Sequence, residues 1–475
     1  MKRSCALWVS IFVGLAAFLS CAPAWAQLEY GPFTITGFYE LIANTNDGHI
    51  NPNNVGWPQN RSQIGFPLVP GIPPQLGLRH TSGRPYFNYF GQDIDLRLQG
   101  NFSDEFSIFI EPRLWFDLTK SADPDYIQYE SVPAHYGGDG WLARVGGKDF
   151  KAELWQGFLD YRKGGLWVRV GKQSVAWGED LAFRILDQIC PLDLSEYFFF
   201  GRGFEAFDRQ RIPEWLLRAN YTIQTEPIPD LTFEGIVSPG TWTPNILPQQ
   251  GAPYNVVPSA LAYQERVHMG RPIVAGRITG TDRNVQFSIN ALTRPQDASV
   301  GVATGKIIPD RNGGLPLIFF LGNPTLFRIQ VFGEHPRFWL FGGSANYSWD
   351  WAGAILRAET AVIPDQAFTY PNAVKIVQRP QWLMFASIDR PTYLIPGQDS
   401  MLINLQFLET YTAGHTLHVQ TNGFQIDPAV QDVLLFFSSR CSAKEFTWSY
   451  YRSGIPTTVT GYSRESTGRS ETITG

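Results

Sequence analysis

The feature that most constrains this chain is a period-two alternation with charge on one face. In Asp93-Ile94-Asp95-Leu96-Arg97-Leu98-Gln99 every even residue is apolar and every odd one polar. Val285, Phe287, Ile289 and Ala291 alternate with Gln286, Ser288 and Asn290, and Leu405 and Phe407 alternate with Asn404 and Gln406. Successive side chains on a strand point to opposite faces, so these segments read as strands with one apolar and one polar face. A barrel in lipid turns the apolar face outward and keeps the charged face around water. A water-soluble sandwich inverts that arrangement. Alternation alone fits both.

The connections separate the two. Strands are expected at 32–43, 86–100, 104–117, 152–163, 165–176, 213–224, 229–238, 272–281, 283–293, 337–348, 350–361, 381–391, 399–410, 431–440 and 443–452. Every second connection through the twelfth strand is short, as at Asn101-Phe102-Ser103, Lys163-Gly164-Gly165, Gly280-Thr281-Asp282 and Ser348-Trp349-Asp350. The intervening ones are long: 44–85, 118–151, 177–212, 239–271, 294–336, 362–380 and 411–430. Outer-membrane barrels show this asymmetry, with short periplasmic turns and long extracellular loops. Loops of such length count against a compact soluble domain. Aromatics make up 14% of the chain and gather near predicted strand ends, as in Tyr86, Phe87, Tyr89 and Phe90, in Trp115 and Phe116, and in Trp349 and Trp351. Girdles at the two water–lipid boundaries would place them there, although single aromatics favour strands in any case.

The first 26 residues read as an export signal. Lys2 and Arg3 precede an apolar stretch from Ala6 to Leu19, and Ala24-Trp25-Ala26 forms an A-x-A cleavage site that leaves Gln27 as the mature N-terminus. Leu19-Ser20-Cys21 is only loosely lipobox-like. Beyond this segment no uncharged apolar run approaches the ~20 residues of a spanning helix, which excludes a helical inner-membrane protein. The net charge is −5, and loss of Lys2 and Arg3 makes it −7. No basic surface for nucleic acid stands out. Of the four cysteines, Cys5 and Cys21 leave with the signal; Cys190 and Cys441 are too few for a disulfide scaffold or a zinc cluster, and a bridge between them is not expected.

After the fifth strand comes Gly171-Lys172-Gln173-Ser174-Val175-Ala176-Trp177-Gly178-Glu179, then Arg184-Ile185-Leu186-Asp187, Pro191-Leu192-Asp193, Arg211-Ile212-Pro213 and Trp215-Leu216-Leu217-Arg218. This order resembles a large, largely uncharacterised family of proteobacterial outer-membrane barrel proteins, known as a domain of unknown function. Leu356-Arg357-Ala358-Glu359 also fits it. The resemblance reaches from the signal to about residue 410. It implies the membrane and the barrel but no established substrate. Two departures matter. The family usually has Asn before Pro-Leu-Asp, where this chain has Cys190. Its barrels usually close with an amphipathic strand ending in an aromatic, whereas this chain ends Glu471-Thr472-Ile473-Thr474-Gly475. From Arg452 onward 14 of 24 residues are Ser, Thr or Gly, which reads as a disordered tail. An odd strand is then left over, and an open edge cannot sit in lipid. The expectation is that closure is incomplete, the final strands being missing or replaced through a shifted frame or a truncation.

The reading is therefore an all-β protein: a signal at 1–26, a transmembrane antiparallel barrel of about 14–16 strands over 27–451, and an atypical tail at 452–475. Candidate lumen charges are Asp93, Asp95, Arg97, Glu111, Arg113, Asp160, Arg169, Arg218, Arg357 and Glu359. Such charges can line a water path, although the commoner role of any one of them is to pair and stabilise. The 177–212 loop is expected to enter the lumen and narrow it, with a short helix at 181–189 stopped by Pro191. Its candidate constriction residues are Lys172, Gln173, Trp177, Glu179, Arg184, Asp187 and Asp193. The run Tyr197-Phe198-Phe199-Phe200 either contacts apolar solutes or wedges the loop against the wall.

Catalysis is poorly supported. His49, His80, His135, His268, His335, His415 and His418 fall in or near long loops, without an H-E-x-x-H or G-x-S-x-G pattern. Asn44-Thr45-Asn46-Asp47-Gly48 lacks a full calcium-loop pattern and reads as a turn. No cofactor and no metal are expected. The function expected is a porin-like channel or substrate-specific pore in the cell outer membrane, with a weak lean toward apolar solutes. The alternatives are a barrel enzyme acting on lipid and a structural or adhesive barrel. Expected partners are outer-membrane lipid and lipopolysaccharide, the barrel assembly machinery and a small-molecule solute, with no nucleic acid.

Overall fold

The computed structural model describes residues 27–46, 86–118, 144–146, 150–179, 184–194, 210–226, 228–246, 261–310, 326–369, 376–392, 401–414, 420–421, 425–426, 430–440, 445–452 and 455–462. The expected signal, the Tyr197–Phe200 run, Cys441, and His49, His80, His135, His415 and His418 lie outside the described residues.

In chain order the strands are β1 (Gln27–Tyr30), β2 (Phe33–Asn46), β3 (Tyr86–Asn101), β4 (Phe106–Asp117), β5 (Arg144–Gly146), β6 (Phe150–Lys163), β7 (Leu166–Gln173) and β8 (Glu214–Ile223). Then come β9 (Leu231–Val237), β10 (Leu261–Arg266), β11 (Val274–Asp282), β12 (Val285–Pro295), β13 (Val300–Asp310), β14 (Leu326–Glu334), β15 (Arg337–Trp349) and β16 (Ala354–Thr369). The last are β17 (Ile376–Thr392), β18 (Met401–Thr412), β19 (Gln420–Thr421), β20 (Gln425–Ile426), β21 (Val430–Arg440), β22 (Glu445–Arg452) and β23 (Ile455–Tyr462). Twenty of them form one sheet. Four of these, β1, β5, β19 and β20, are short additions, and the remaining sixteen form an antiparallel meander from β2 to β23.

All fifteen strands expected from the sequence are present, most of them displaced at their ends by a few residues. β16 runs eight residues past its expected end and β17 begins five earlier, so the connection read as long, 362–380, shrinks to 370–375. Two further differences stand out. The tail expected to be disordered contains β23, which pairs with β22 from Glu445↔Tyr462 to Arg452↔Ile455. Its Ser/Thr/Gly content masked the β-branched run Thr457-Thr458-Val459-Thr460, which suits a pleated strand. The meander thereby becomes even in number, and among the described residues no ladder joins β23 to β1 or β2. The second difference lies in two long connections read as loops, where β10, β14 and β13 form a separate three-stranded sheet.

Exposure decides which way the faces turn. On β18, Leu405 and Phe407 are 39% and 40% exposed, while Asn404 and Gln406 are 3% and 1%. On β12, Ile289 is 62% exposed between the buried Ser288 and Asn290. The same inversion places Leu217, Phe233, Val274 and Trp339 outside, and Glu234, Asp160 and Asp389 inside. A water-soluble sheet could not carry such an outer surface; one that faces hydrocarbon must. The chain is a transmembrane β-barrel. Exposed aromatics mark both rims: Phe102, Phe106, Tyr221 and Trp351 near the short turns, and Phe150, Trp339 and Tyr411 toward the long loops. Trp349 and Trp351 meet edge to face at 4.8 Å around the 3₁₀ turn Asp350–Ala352, which closes on Gly353 in the left-handed region.

The inner face has two layers. Toward the long loops it carries Leu216, Ile236, Ala275, Leu292, Leu340, Ala361 and Leu408. Two residues nearer the short turns, the same inward parity places Arg218, Glu234, Arg277, Asn290, Gly342, Glu359 and Gln406. The apolar layer requires something apolar to cover it inside the lumen.

Candidate functional site

The cover is the segment that follows β7. Val175, Trp177, Ile185, Leu186, Ile189 and Cys190 are buried in one apolar cluster with the inward residues of β8, β9, β11, β12, β15, β16, β17 and β18. The described part of the loop therefore lies within the barrel. Gly342 makes room for it, since a Cβ there would stand 2.7 Å from Leu186 Cδ2 and 2.4 Å from the carbonyl of Thr360.

The described part of the expected helix, Arg184–Ile189, is not helical. The Leu186 carbonyl accepts the Gln188 N–H at 2.8 Å, and most of the other carbonyls are taken by side chains in place of backbone N–H groups. Arg184 Nε donates to the Asp187 carbonyl at 2.7 Å, and Arg184 Nη2 donates to that of Cys190. Arg294 Nη1 donates to the carbonyls of Gln188 and Ile189 at 2.8 and 2.6 Å. Arg294 is fully buried, also donates to the Thr243 carbonyl at 3.3 Å, and is paired with Asp297. Buried carbonyls need donors, and three-dimensional placement of guanidinium groups supplied them.

Ion pairs staple the same segment. Arg211 donates to Asp187 Oδ2 from Nη2 at 2.6 Å and from Nε at 3.1 Å, and Asp187 Oδ1 accepts the Trp177 N–H at 3.3 Å. Arg184 reaches Asp297 at 3.3 Å. At the base of the loop, Lys172 Nζ donates to the Leu154 carbonyl at 2.7 Å, and Gln173 Nε2 donates to the Leu216 carbonyl at 3.1 Å. Lys172, Gln173, Trp177 and Asp187 are all buried, so they hold the loop and are shut off from solvent. Asp193 is half-buried, with its N–H on the Gln210 carbonyl at 2.7 Å and a bridge to Ile246. Cys190 is a free, buried thiol whose Sγ accepts from Val175 N–H at 3.4 Å and faces the Gln173 carbonyl at 3.9 Å. An Asn side chain could make both contacts, so the departure at this position keeps the polar pattern. Burial pushes this thiol up to about 12.

The two sequence blocks that carry the resemblance meet near the start of the loop, at Glu179. Glu179 Oε2 lies 2.9 Å from Arg357 Nη1, Arg357 Nε lies 2.7 Å from Asp389 Oδ2, and the Glu179 N–H donates to Glu359. Gly178 has φ +91° and packs so close to Glu359 that a Cβ would stand 2.7 Å from its carboxylate. Only glycine takes that backbone conformation without strain.

Below the loop the lumen wall is a chain of ion pairs. Arg113 lies 3.2 Å from Asp95 and 3.6 Å from Glu111; Arg97 Nε lies 3.3 Å from Glu111. Arg169 holds both oxygens of Asp160, at 2.7 and 2.8 Å. Glu234 bridges Arg218 and Arg277, at 2.5 and 2.7 Å. Arginines also lie over rings: Arg113 is 3.9 Å from Trp155, Arg169 is 3.6 Å from Phe158, and Arg277 is 5.3 Å from Trp177. The wall thus brings Arg97, Arg113, Arg169 and Arg218 together with their acids, while Arg357 and Glu359 belong to the loop's anchor. Sequence reasoning missed Glu234, Arg277, Asp389, Arg294 and Asp297. Strand parity could have found Glu234, Arg277 and Asp389; nothing local marks Arg294 or Asp297.

The loop packs on the β8–β18 side. Across from it, a cavity of about 440 Å³ is lined by Thr34, Thr36, Arg97, Gln99, Phe109, Glu111 and Gln156. Among the described residues no group of three His, Cys, Asp or Glu side chains could hold a metal ion.

Residues 90–454 match the family described as "Protein of unknown function (DUF1302)". The chain belongs to the DUF1302 family. No curated protein matches it. Among solved structures, OmpF of Salmonella typhi in complex with daunomycin is similar over 90% of this chain and 92% of its own, at 8% identity and a TM-score of 0.41. OmpT of Vibrio cholerae, in its trimer form, is similar over 80% and 85%, at 9% identity and a TM-score of 0.37. The outer membrane channel DcaP of Acinetobacter baumannii is similar over 79% and 84%, at 8% identity and a TM-score of 0.35. The barrel of this DUF1302 protein is defined by its own ladders and faces.

Proposed function

We propose that this DUF1302 protein is a porin-like channel of the outer membrane, exported by its N-terminal signal and narrowed by the loop after β7. One observation carries the reading: the described part of the loop packs on the apolar side of the lumen. The β2–β6 wall opposite keeps charged and hydroxyl side chains around a cavity. A loop that served only to fill the barrel would have no need of a polar remainder. Small solutes would pass between the Trp177–Cys190 segment and the wall that carries Arg97 and Glu111. Lipid and lipopolysaccharide surround the barrel on this reading, and the assembly machinery inserts it.

The test is single-channel conductance of the purified protein in a planar bilayer, with a heat-shift gel as the folding control. Discrete current steps are expected, and they should grow when residues 177–209 are replaced by a short Gly/Ser link. A heat-shifted protein that stays silent with and without that loop would overturn the reading.

A further inference from the structure

The cavity opposite the loop is floored by two rows of side chains that run across four strands. Thr34 pairs with Gln99, Gln99 with Phe109, and Phe109 with Phe158. In the next row Thr36 pairs with Arg97, Arg97 reaches Glu111, and Glu111 pairs with Gln156. The members differ in what they have left to offer. Gln156 is spent, donating to Glu111 at 2.8 Å and accepting from the Ser174 N–H at 3.1 Å. Glu111 is spent on Arg97, Arg113 and Gln156. Arg97 is not. Its Nε faces Glu111, which leaves the Nη edge of the guanidinium for the cavity. Its side chain is 47% exposed, whereas Arg113, Arg169, Arg218 and Arg277 range from 12% to 21%. Phe109 lies on Phe158, with centroids 5.1 Å apart, and lines the cavity beside Arg97.

We infer that this cavity is a solute subsite for small aromatic carboxylates that carry a ring hydroxyl. The inference rests on the channel reading above and names what the channel prefers. The Nη edge of Arg97 takes the carboxylate through two parallel hydrogen bonds, the geometry a guanidinium offers and an ammonium does not. The Phe109–Phe158 stack supplies a planar apolar wall for the ring. Thr34, Thr36 and Gln99 take the hydroxyl. A cavity of about 440 Å³ falls within the range of small-molecule sites. Because Gln156 joins the floor to Ser174, a solute here sits one hydrogen bond from the base of the inserted loop.

The experiment uses the folded full-length protein in detergent. Binding of 4-hydroxybenzoate is followed by calorimetry, with 4-hydroxybenzyl alcohol and acetate as the carboxylate-free and ring-free controls. Saturable binding of 4-hydroxybenzoate is expected, at least ten-fold tighter than either control. Arg97→Gln should weaken it ten-fold or more, Arg97→Lys should recover part of the loss, and Phe109→Leu should weaken the aromatic acid while leaving acetate unchanged. Arg97 is half exposed, so these variants keep the heat-shifted form. Equal binding to wild type and Arg97→Gln, or equal binding of acid and alcohol, would overturn the subsite. Conductance is measured in parallel: current steps without selective binding sink the subsite alone, and selective binding by a silent barrel sinks the channel reading alone.

Discussion

The carboxylate of Glu179 lies 2.9 Å from the guanidinium of Arg357, though 178 positions separate them in the chain. This pair fastens the inserted loop to the β16 wall, and Asp389 holds the same guanidinium from β17 at 2.7 Å. Both partners are about a quarter exposed, so solvent screens the pair and its share of global stability is small. Its role is local. Glu179→Gln and Arg357→Gln should leave the thermal midpoint nearly unchanged and raise open-channel current noise. Quiet traces from both variants would show that the loop is held elsewhere.

Arg294 is the better candidate for a structural lock. It is fully buried against the carbonyls of Gln188, Ile189 and Thr243. Arg294→Met leaves Asp297 as a buried charge without its main partner, which typically costs about 3–5 kcal/mol. Urea titration of the heat-shifted form should report that loss, and Arg294→Lys should not restore it, because one ammonium cannot reach the same set of acceptors. A double variant with Asp297→Asn should recover part of the loss.

Leu186 tests the packing of the loop. It is fully buried and rests against Gly342. Leu186→Ala should cost about 2–5 kcal/mol and increase conductance as the segment loosens. A smaller loss with unchanged conductance would mean that the loop does not limit the lumen.

Ile289 tests the lipid-facing assignment. It is 62% exposed on β12, near mid-strand, with buried Ser288 and Asn290 on either side. Ile289→Lys would cost a water-soluble surface almost nothing. At mid-depth in a bilayer it should cost about 2–4 kcal/mol, readable as a lower folded yield in lipid vesicles.

Cys190 gives a chemical check. Burial raises this thiol from its ordinary 9.0 to about 12, and the thiolate is the reactive form. In a Cys441→Ala background, the folded protein should resist maleimide at pH 8 and react once denatured. The linkage sign follows from a folded value above the unfolded one. The contribution is complete below about pH 9 and disappears as the pH rises toward 12. Cys190→Asn should remove that alkaline component and keep the contacts to Val175 and Gln173.

Strand parity made most of the barrel legible in advance. Asp93, Asp95, Glu111, Asp160 and Arg169 could be placed on the inner face because a two-residue repeat is local, and local patterns survive in sequence. The same logic failed at β23, where composition was weighed over the β-branched run of Thr457 to Thr460. It failed again at Arg184–Ile189, where a helical pattern was expected and side-chain donors took most of the carbonyls.

The sequence by itself determined the strands of the meander as far as β22, their faces and the end of the barrel that carries most of the long loops, since alternation and connection length are properties of neighbouring residues. The tertiary structure alone decided what fills the lumen. Arg294, Gly342 and Arg357 act on a loop more than a hundred positions away, through contacts that exist only once the sheet has curled around it. It also decided that Arg97 keeps a free edge while its neighbours are paired, because which acid reaches which arginine depends on register and rotamer, not on spacing along the chain.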